Sequence, residues 1–330
     1  MKQIIVENLK KTFYVAKRQP GFKGALKGLF KREHNLIRAL DGINFELNAG
    51  ELVGYIGPNG AGKSTTVKVL SGILTPTSGH CEVNGLTPWR DRTRHVANIG
   101  VVFGQRTQLW WDLPVIESFE LLKDIYRIPK TSYQRDSEEL IETMGLAGML
   151  DTPVRQLSLG QRMRCDLVAS LLHAPGILFL DEPTIGLDAT SKLAVRDFVK
   201  RLNQERNVTV ILTTHDMDDI EALCNRIIVI GNGTILSDGK LSELRTRLLG
   251  ERRIKIDFQK DIDFEDPDAR VISKQGLEYH LAFDPSKVTS TALIARITSR
   301  YEVLDLLVEN PPIEELIAQL YKRNQIESEQ

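Results

Sequence analysis

The chain has 330 residues, enough for one large α/β domain and a smaller second one, and its formal net charge of -1 excludes a chain-wide nucleic-acid footprint. Cys81, Cys165 and Cys224 are odd in number and lack C-x-x-C spacing, so neither a disulfide framework nor a zinc site is suggested, and a reducing compartment fits. The opening residues 1–7 lack the apolar core of a signal peptide, and no apolar run approaches the roughly eighteen residues that span a bilayer. Any membrane span is expected from another subunit.

In chain order, residues 3–6 predict a short strand, and residues 15–38 then break the pattern. There Lys17, Arg18, Lys23, Lys27, Lys31, Arg32 and Arg38 face only Glu33, and Phe22, Leu26, Leu29 and Phe30 recur at the spacing of one helix side. A basic amphipathic helix suits an anionic membrane surface; a surface loop with solvated charges reads equally well. Next, residues 42–47 and 51–56 flank the turn Asn48-Ala49-Gly50 and lead into Gly57-Pro58-Asn59-Gly60-Ala61-Gly62-Lys63-Ser64-Thr65. This run fits G-x-x-x-x-G-K-[ST], with an apolar strand before it and a helix opening after it, the context of a phosphate-binding loop. Its glycines let backbone N–H groups converge on a phosphate, Lys63 reaches the β- and γ-phosphates, and the Ser64 hydroxyl is left for Mg²⁺.

Residues 80–85 read as a strand closing on Asn-Gly, and residues 99–105 as a buried strand ending on Gln105. Residues 115–126, 132–144 and 158–172 read as helices; three together interrupt βαβ alternation, so a helical subdomain inserted over about 106–172 is expected. The run Ile177-Leu178-Phe179-Leu180-Asp181-Glu182 predicts a central parallel strand that stops at two acids, on the edge where open α/β sheets bind ligands. Alternation along the strand should aim the two carboxylates differently, and Pro183 should bias Glu182 away from the helical region. A helix over 191–206 and a strand over 208–213 bring His215 to the same edge. The set then suits phosphoryl transfer to water: Asp181 for Mg²⁺, Glu182 to polarise the attacking water, His215 for the γ-phosphate. A strand over 226–230 is expected to turn at Gly231-Asn232-Gly233 into another over 234–237. From about residue 250 the texture changes to three alternating strands, a helix over 289–301, a strand over 303–308 and a helix over 313–322. That predicts a separate α+β domain over 250–330 with no cluster of catalytic residue types, regulatory or dimer-supporting in role.

The phosphate loop, Leu157-Ser158-Leu159-Gly160-Gln161, Asp181-Glu182-Pro183, Gly186-Leu187-Asp188 and His215 together resemble the ATP-binding subunit of an ABC transporter, over about residues 1–248. The resemblance implies an α/β phosphate-loop NTPase with a mostly parallel central sheet, an N-terminal antiparallel β-subdomain and the inserted helices, binding ATP and Mg²⁺. It implies that Gln105 ends the loop linking the metal to the transport subunit, that Phe13 or Tyr14 stacks on adenine, and that Gly186-Leu187-Asp188 is the D-loop. Ser158 and Gly160 would cap the ATP held by the opposite subunit, a role that suits a hydroxyl and free N–H groups at a helix start. The chain departs from the family where Leu159 replaces the first of two glycines, since Leu cannot adopt positive φ cheaply. The segment near Gln105, with Trp110-Trp111, and the trailing domain resemble the exporter-type branch serving drug, viologen, polysaccharide and lipid efflux; the tryptophans fit core packing equally well. The implied function is an ATPase, homo- or heterodimeric, that drives integral membrane permease subunits for export from the cytoplasmic face of the membrane. A soluble ABC ATPase of translation or DNA repair is the alternative, disfavoured by a single cassette without sustained heptads. A catalytically inactive regulator is disfavoured because Lys63, Ser64, Gln105, Asp181, Glu182 and His215 are all present.

Overall fold

The first two strands run much longer than the sequence pattern predicts: β1 (Lys2–Ala16) pairs antiparallel with β2 (His34–Asn48), from Lys2↔Asn48 to Ala16↔His34. The computed structural model describes residues 2–16, 34–104 and 106–328. Residues 15, 16 and 34–38 of the expected interruption are therefore strand, while Phe22, Leu26, Leu29 and Phe30 lie outside the described residues. Two features hide the strand. Register shifts between Val6 and Leu9 and between Leu9 and Lys10 break the alternation. Beyond them the ribbon has little to bury, and Tyr14, Val15, Leu36 and Ile37 stand exposed. The other edge of β1 carries β4 (Ser78–Val83), giving a three-stranded sheet β2-β1-β4 whose Ile4, Val6, Leu9, Ile43 and Leu47 join the core around Tyr55, Val67 and Phe179.

The second layer is a six-stranded sheet in the order β5-β6-β7-β3-β8-β9. It comprises β3 (Leu52–Ile56), β5 (Ile99–Phe103), β6 (Ile177–Asp181), β7 (Thr209–Thr213), β8 (Arg226–Gly231) and β9 (Thr234–Lys240). Pairing is parallel from β5 to β8, and Ile177 to Leu180 are wholly buried, as an apolar strand covered on both faces must be. Phe103 pairs with Asp181 and Asp181 with Thr213, so three strands end at one level. Helix α1 (Lys63–Leu70) follows β3, and the short α2 (Arg92–Val96) precedes β5. Helices α3 (Val115–Ile125), α4 (Lys130–Met144) and α5 (Leu159–Leu171) all fall within the single crossover from β5 to β6, the inserted subdomain. After β6 come α6 (Ala189–Arg206) and, beyond β7, α7 (Met217–Leu223).

The chain divides into two units, Met1–Asp238 and Gly239–Gln330. The second opens with α8 (Leu241–Leu249), whose Leu241 and Leu244 are buried and which packs against α10 (Ile313–Ser328); the boundary expected near residue 250 falls at the end of that helix. Its antiparallel sheet, in the order β11-β12-β10-β13, is built from β10 (Arg252–Phe258), β11 (Ala269–Gln275), β12 (Glu278–Phe283) and β13 (Val303–Glu309). Period-two alternation puts Ile254, Ile256 and Phe258 under α9 (Ser290–Arg300), which contributes Leu293 and Ile297. Among the described residues no helix is long and apolar enough to cross a membrane.

Candidate functional site

The phosphate loop leaves β3 at Gly57 and turns through Pro58, Asn59 and Gly60, closed by Ala61 N–H donating to the Pro58 carbonyl at 3.2 Å. Gly62 takes φ 115 as the residue before α1, which Lys63, Ser64 and Thr65 open. The buried Lys63 ammonium donates back to the carbonyls of Gly57 at 2.7 Å and Pro58 at 3.2 Å, which holds it over the loop. Burial lowers its pKa, opposed by the nearby carboxylates of Glu182 and Asp181, which favour the charged form.

At the end of β6 the two acids separate. Asp181 Oδ1 accepts from Ser64 Oγ at 3.2 Å and from Thr213 Oγ1 at 2.5 Å, so it faces the start of α1. Glu182 Oε2 lies 3.5 Å from His215 Nδ1. Strand alternation is not what separates them, because β6 has ended. Glu182 has φ +57, a left-handed conformation that no preceding-proline preference predicts. Its N–H donates to the Thr213 carbonyl at 2.9 Å, its own carbonyl accepts from Ile185 N–H at 3.3 Å, and Gly104 packs against that carbonyl so closely that a Cβ there would lie 1.9 Å from it. Tertiary contacts thus impose what local preference opposes. Asn59, Ser64, Lys68, Phe103, Arg106, Asp181, Glu182 and His215 line one cavity of about 700 Å³.

Other expected site residues lie elsewhere or beyond view. Gln105 falls outside the described residues. Phe13 and Tyr14 stand on the β1–β2 ribbon, with Lys11 Nζ 5.2 Å from the Phe13 ring centre, and neither lines the cavity. Ser158 caps α5: its hydroxyl accepts from Gln161 N–H at 3.2 Å while Gln161 Oε1 accepts from Ser158 N–H at 2.8 Å. Leu159 is the first helical residue and does not need glycine's positive φ, which removes the objection raised by its sequence. Its Cδ2 would lie 3.0 Å from a Cβ on Gly186, and a Cβ on Gly160 would lie 2.4 Å from Ser191 Oγ. Leu157 and Leu187 are buried beside this junction. Asp188 caps α6 by accepting from Ser191 N–H and Oγ, bonds that hold its carboxyl below the usual carboxylate range. Within one protomer the segment of Ser158 is therefore packed on the segment of Asp188, and neither lines the cavity.

Three features are missed in the sequence. Thr213 binds Asp181 at the same strand level, readable only once the parallel register is known. Gly104 looks like an ordinary strand-end glycine. Asp166 in α5 is buried, and its Oδ1 accepts from Thr107 Oγ1 at 2.9 Å and Gln108 N–H at 3.0 Å, tying α5 to the loop after Gln105. Burial pushes its pKa up to about 6, partly offset by those bonds and by Arg162. Trp110 and Trp111 on this loop are not core: both are exposed, with the Arg162 guanidinium 5.4 Å from the Trp111 ring centre.

A family model described as ABC transporter matches residues 40–185. The linearmycin resistance ATP-binding protein LnrL of Bacillus subtilis (strain 168) is 31% identical over 89% of this chain and 96% of its own length. The chain belongs to the ATP-binding subunits of ABC transporters. A similar subunit, the methionine import ATP-binding protein MetN 3 of Shouchella clausii (strain KSM-K16), is 29% identical over 91% of this chain and 83% of its own. Among solved structures, the dimeric post-hydrolysis state of an ATP-binding cassette bound to ADP and Pi matches with a TM-score of 0.60 and 27% identity, over 72% of this chain and 98% of that one. This ABC subunit is accordingly an ATP-binding protein and an ATP hydrolase of a class that works as a dimer beside membrane permeases. The translation and repair alternative finds no support among these relatives.

Proposed function

We propose that two copies of this subunit, or one copy and a paralogue, close around two ATP molecules and power export through separate integral membrane permease subunits, working at the cytoplasmic face of the membrane. The observation that carries the reading is the separation of the two acids, Asp181 turned to Ser64 and Glu182 to His215. Lys63 and the loop N–H groups bind the phosphates. Ser64 Oγ and Asp181 Oδ1 form a hard oxygen pair that fits Mg²⁺, which when bound would neutralise phosphate charge. Glu182 orients and deprotonates the attacking water, with His215 beside it and Gln105 between metal and permease. Phe13 or Tyr14 stacks on adenine, Ser158 and Gly160 cap the ATP of the opposite subunit, and Asp188 follows that contact. Export is favoured because likeness to the resistance protein runs over 96% of its length, against 83% for the importer.

The test is Glu182→Gln, which keeps shape and loses the charge that draws a proton from water. Hydrolysis should fall by roughly 10² to 10⁴ while ATP and Mg²⁺ hold a stable dimer in size-exclusion chromatography. Adding Ser158→Arg should abolish that dimer. Near-normal turnover by Glu182→Gln would show that the base is misassigned, with His215 the next candidate. The cations of residues 17–32, flanked by exposed Tyr14, Val15, Leu36 and Ile37, support contact with an anionic membrane surface. Deleting residues 19–34 should keep ATPase activity and weaken binding to anionic liposomes at low salt; unchanged binding at low and high salt removes that part of the reading.

A further inference from the structure

Asp219, on α7, is fully buried and belongs to no part of the hydrolytic site. A carboxylate is costly to bury unless its lone pairs are satisfied, and here both oxygens are engaged. Oδ2 accepts from the hydroxyls of Thr184, in a short contact, and Thr214, at 3.1 Å; Oδ1 accepts from Arg196 Nε at 2.6 Å. Thr184 and Thr214 are buried as well. Thr184 stands two residues after Glu182, Thr214 one residue before His215, and Arg196 on the helix that Asp188 caps. One carboxylate thus joins the turn that strains Glu182, the loop that carries His215, and α6.

Resting on the base assignment for Glu182, we propose that Asp219 is a positioning residue for ATP hydrolysis, setting Glu182 against His215 by clamping Thr184 and Thr214 to one buried carboxylate. Thr214 Oγ1 also accepts from Asp216 N–H at 2.9 Å, so this hydroxyl has a defined direction and donates only to Asp219. Lys63 and Ser64 are held by other bonds, to Gly57, Pro58 and Asp181. Loosening the clamp therefore shifts the water-activating side and leaves phosphate binding in place. A misplacement on the scale of an ångström costs up to about a hundredfold in rate.

The experiment compares kcat, KM and ATP affinity of the full chain for Asp219→Asn, Thr184→Val, Thr214→Val and Thr184→Ser, with melting temperature measured beside them. Asp219→Asn and each valine variant should lower kcat by about tenfold to a hundredfold, with ATP affinity within about twofold. Thr184→Ser, which restores the hydroxyl, should recover most of the rate. In a Glu182→Gln background Asp219→Asn should lower the residual rate by less than about twofold, because it acts through Glu182. Wild-type kcat in Asp219→Asn beside an inactive Glu182→Gln overturns the positioning role alone, whereas an active Glu182→Gln overturns the base assignment. A rate loss in Thr184→Ser equal to that in Thr184→Val, or the same fold loss in both backgrounds, also overturns the clamp. Should Asp219→Asn fail to fold, the two valine substitutions, each exchanging a hydroxyl for a methyl, decide the question.

Discussion

The turn after β6 and the sheet of the second unit are built by opposite rules. Among the described residues every non-glycine with positive φ, Asn8, Asn84, Arg127, Ala174, Glu182, Asn207 and Asn232, lies before Asp238; the second unit reaches that region only at Gly250 and Gly276. Asparagine tolerates the conformation, but glutamate does so at a cost of order 1 to 3 kcal/mol. Of the seven, Glu182 alone lines the cavity, and it is held there by Thr213, Ile185 and the backbone of Gly104. The second unit uses its polar groups differently. Lys255 pairs with Glu278 at 2.6 Å and Arg270 with Glu251 at 2.8 Å, on faces that solvent reaches. Strain sits where a carboxylate must be aimed, and ordinary alternation suffices where a surface has only to be covered.

The contrast breaks most directly at Gly104. A methyl group there meets the Glu182 carbonyl at 1.9 Å, so Gly104→Ala must move either the turn or β5. Hydrolysis should fall by about a hundredfold or more while ATP still binds, measured by steady-state turnover and equilibrium binding; an unaltered rate would show that the strained turn has slack. Asp166 gives a smaller effect of calculable sign. Its folded pKa of about 6 lies above the ordinary 3.8, so its contribution favours folding fully below about pH 4 and is lost as pH rises through about 6. Above that, the buried charge costs up to about 3 kcal/mol. Asp166→Asn, which keeps an acceptor for Thr107 and Gln108, should stabilise the fold near pH 8 and give no gain near pH 4 in urea denaturation. An equal gain at both values would mean that charge is not the cause. The smallest effect belongs to Gly276, where a Cβ would meet nothing but φ is +63. Gly276→Ala should cost about 1 kcal/mol of stability by melting and leave turnover unchanged.

How legible each feature is depends on the range of the interaction behind it. The phosphate loop, the capping serine before α5 and the alternation of β10 are local patterns, and the sequence displays them. The β1–β2 ribbon reads as a short strand and an interruption because register shifts and an exposed outer half erase period two. Leu159 suggests a damaged segment only while its place in the helix is unknown. The left-handed backbone of Glu182, the packing of Gly104 on its carbonyl and the three bonds that Asp219 accepts are not legible in the sequence. Each depends on a contact between segments far apart in the chain, and for Glu182 the nearest local signal, Pro183, disfavours the right-handed helical region without specifying the left-handed one.

The level register Phe103↔Asp181↔Thr213 also limits how this protein can vary. An insertion or deletion of one residue in any of these five-residue strands would advance or retract the residues downstream of it by about 3.3 Å and turn them to the opposite face. Gly104 would leave the Glu182 carbonyl, or Thr214 would leave Asp219, even with every functional side chain retained. Strand length at this edge is thus as heritable a requirement as residue identity. The short connection between α3 and α4 carries no such constraint from strand register, so a change in chain length there would leave this edge of the sheet in place.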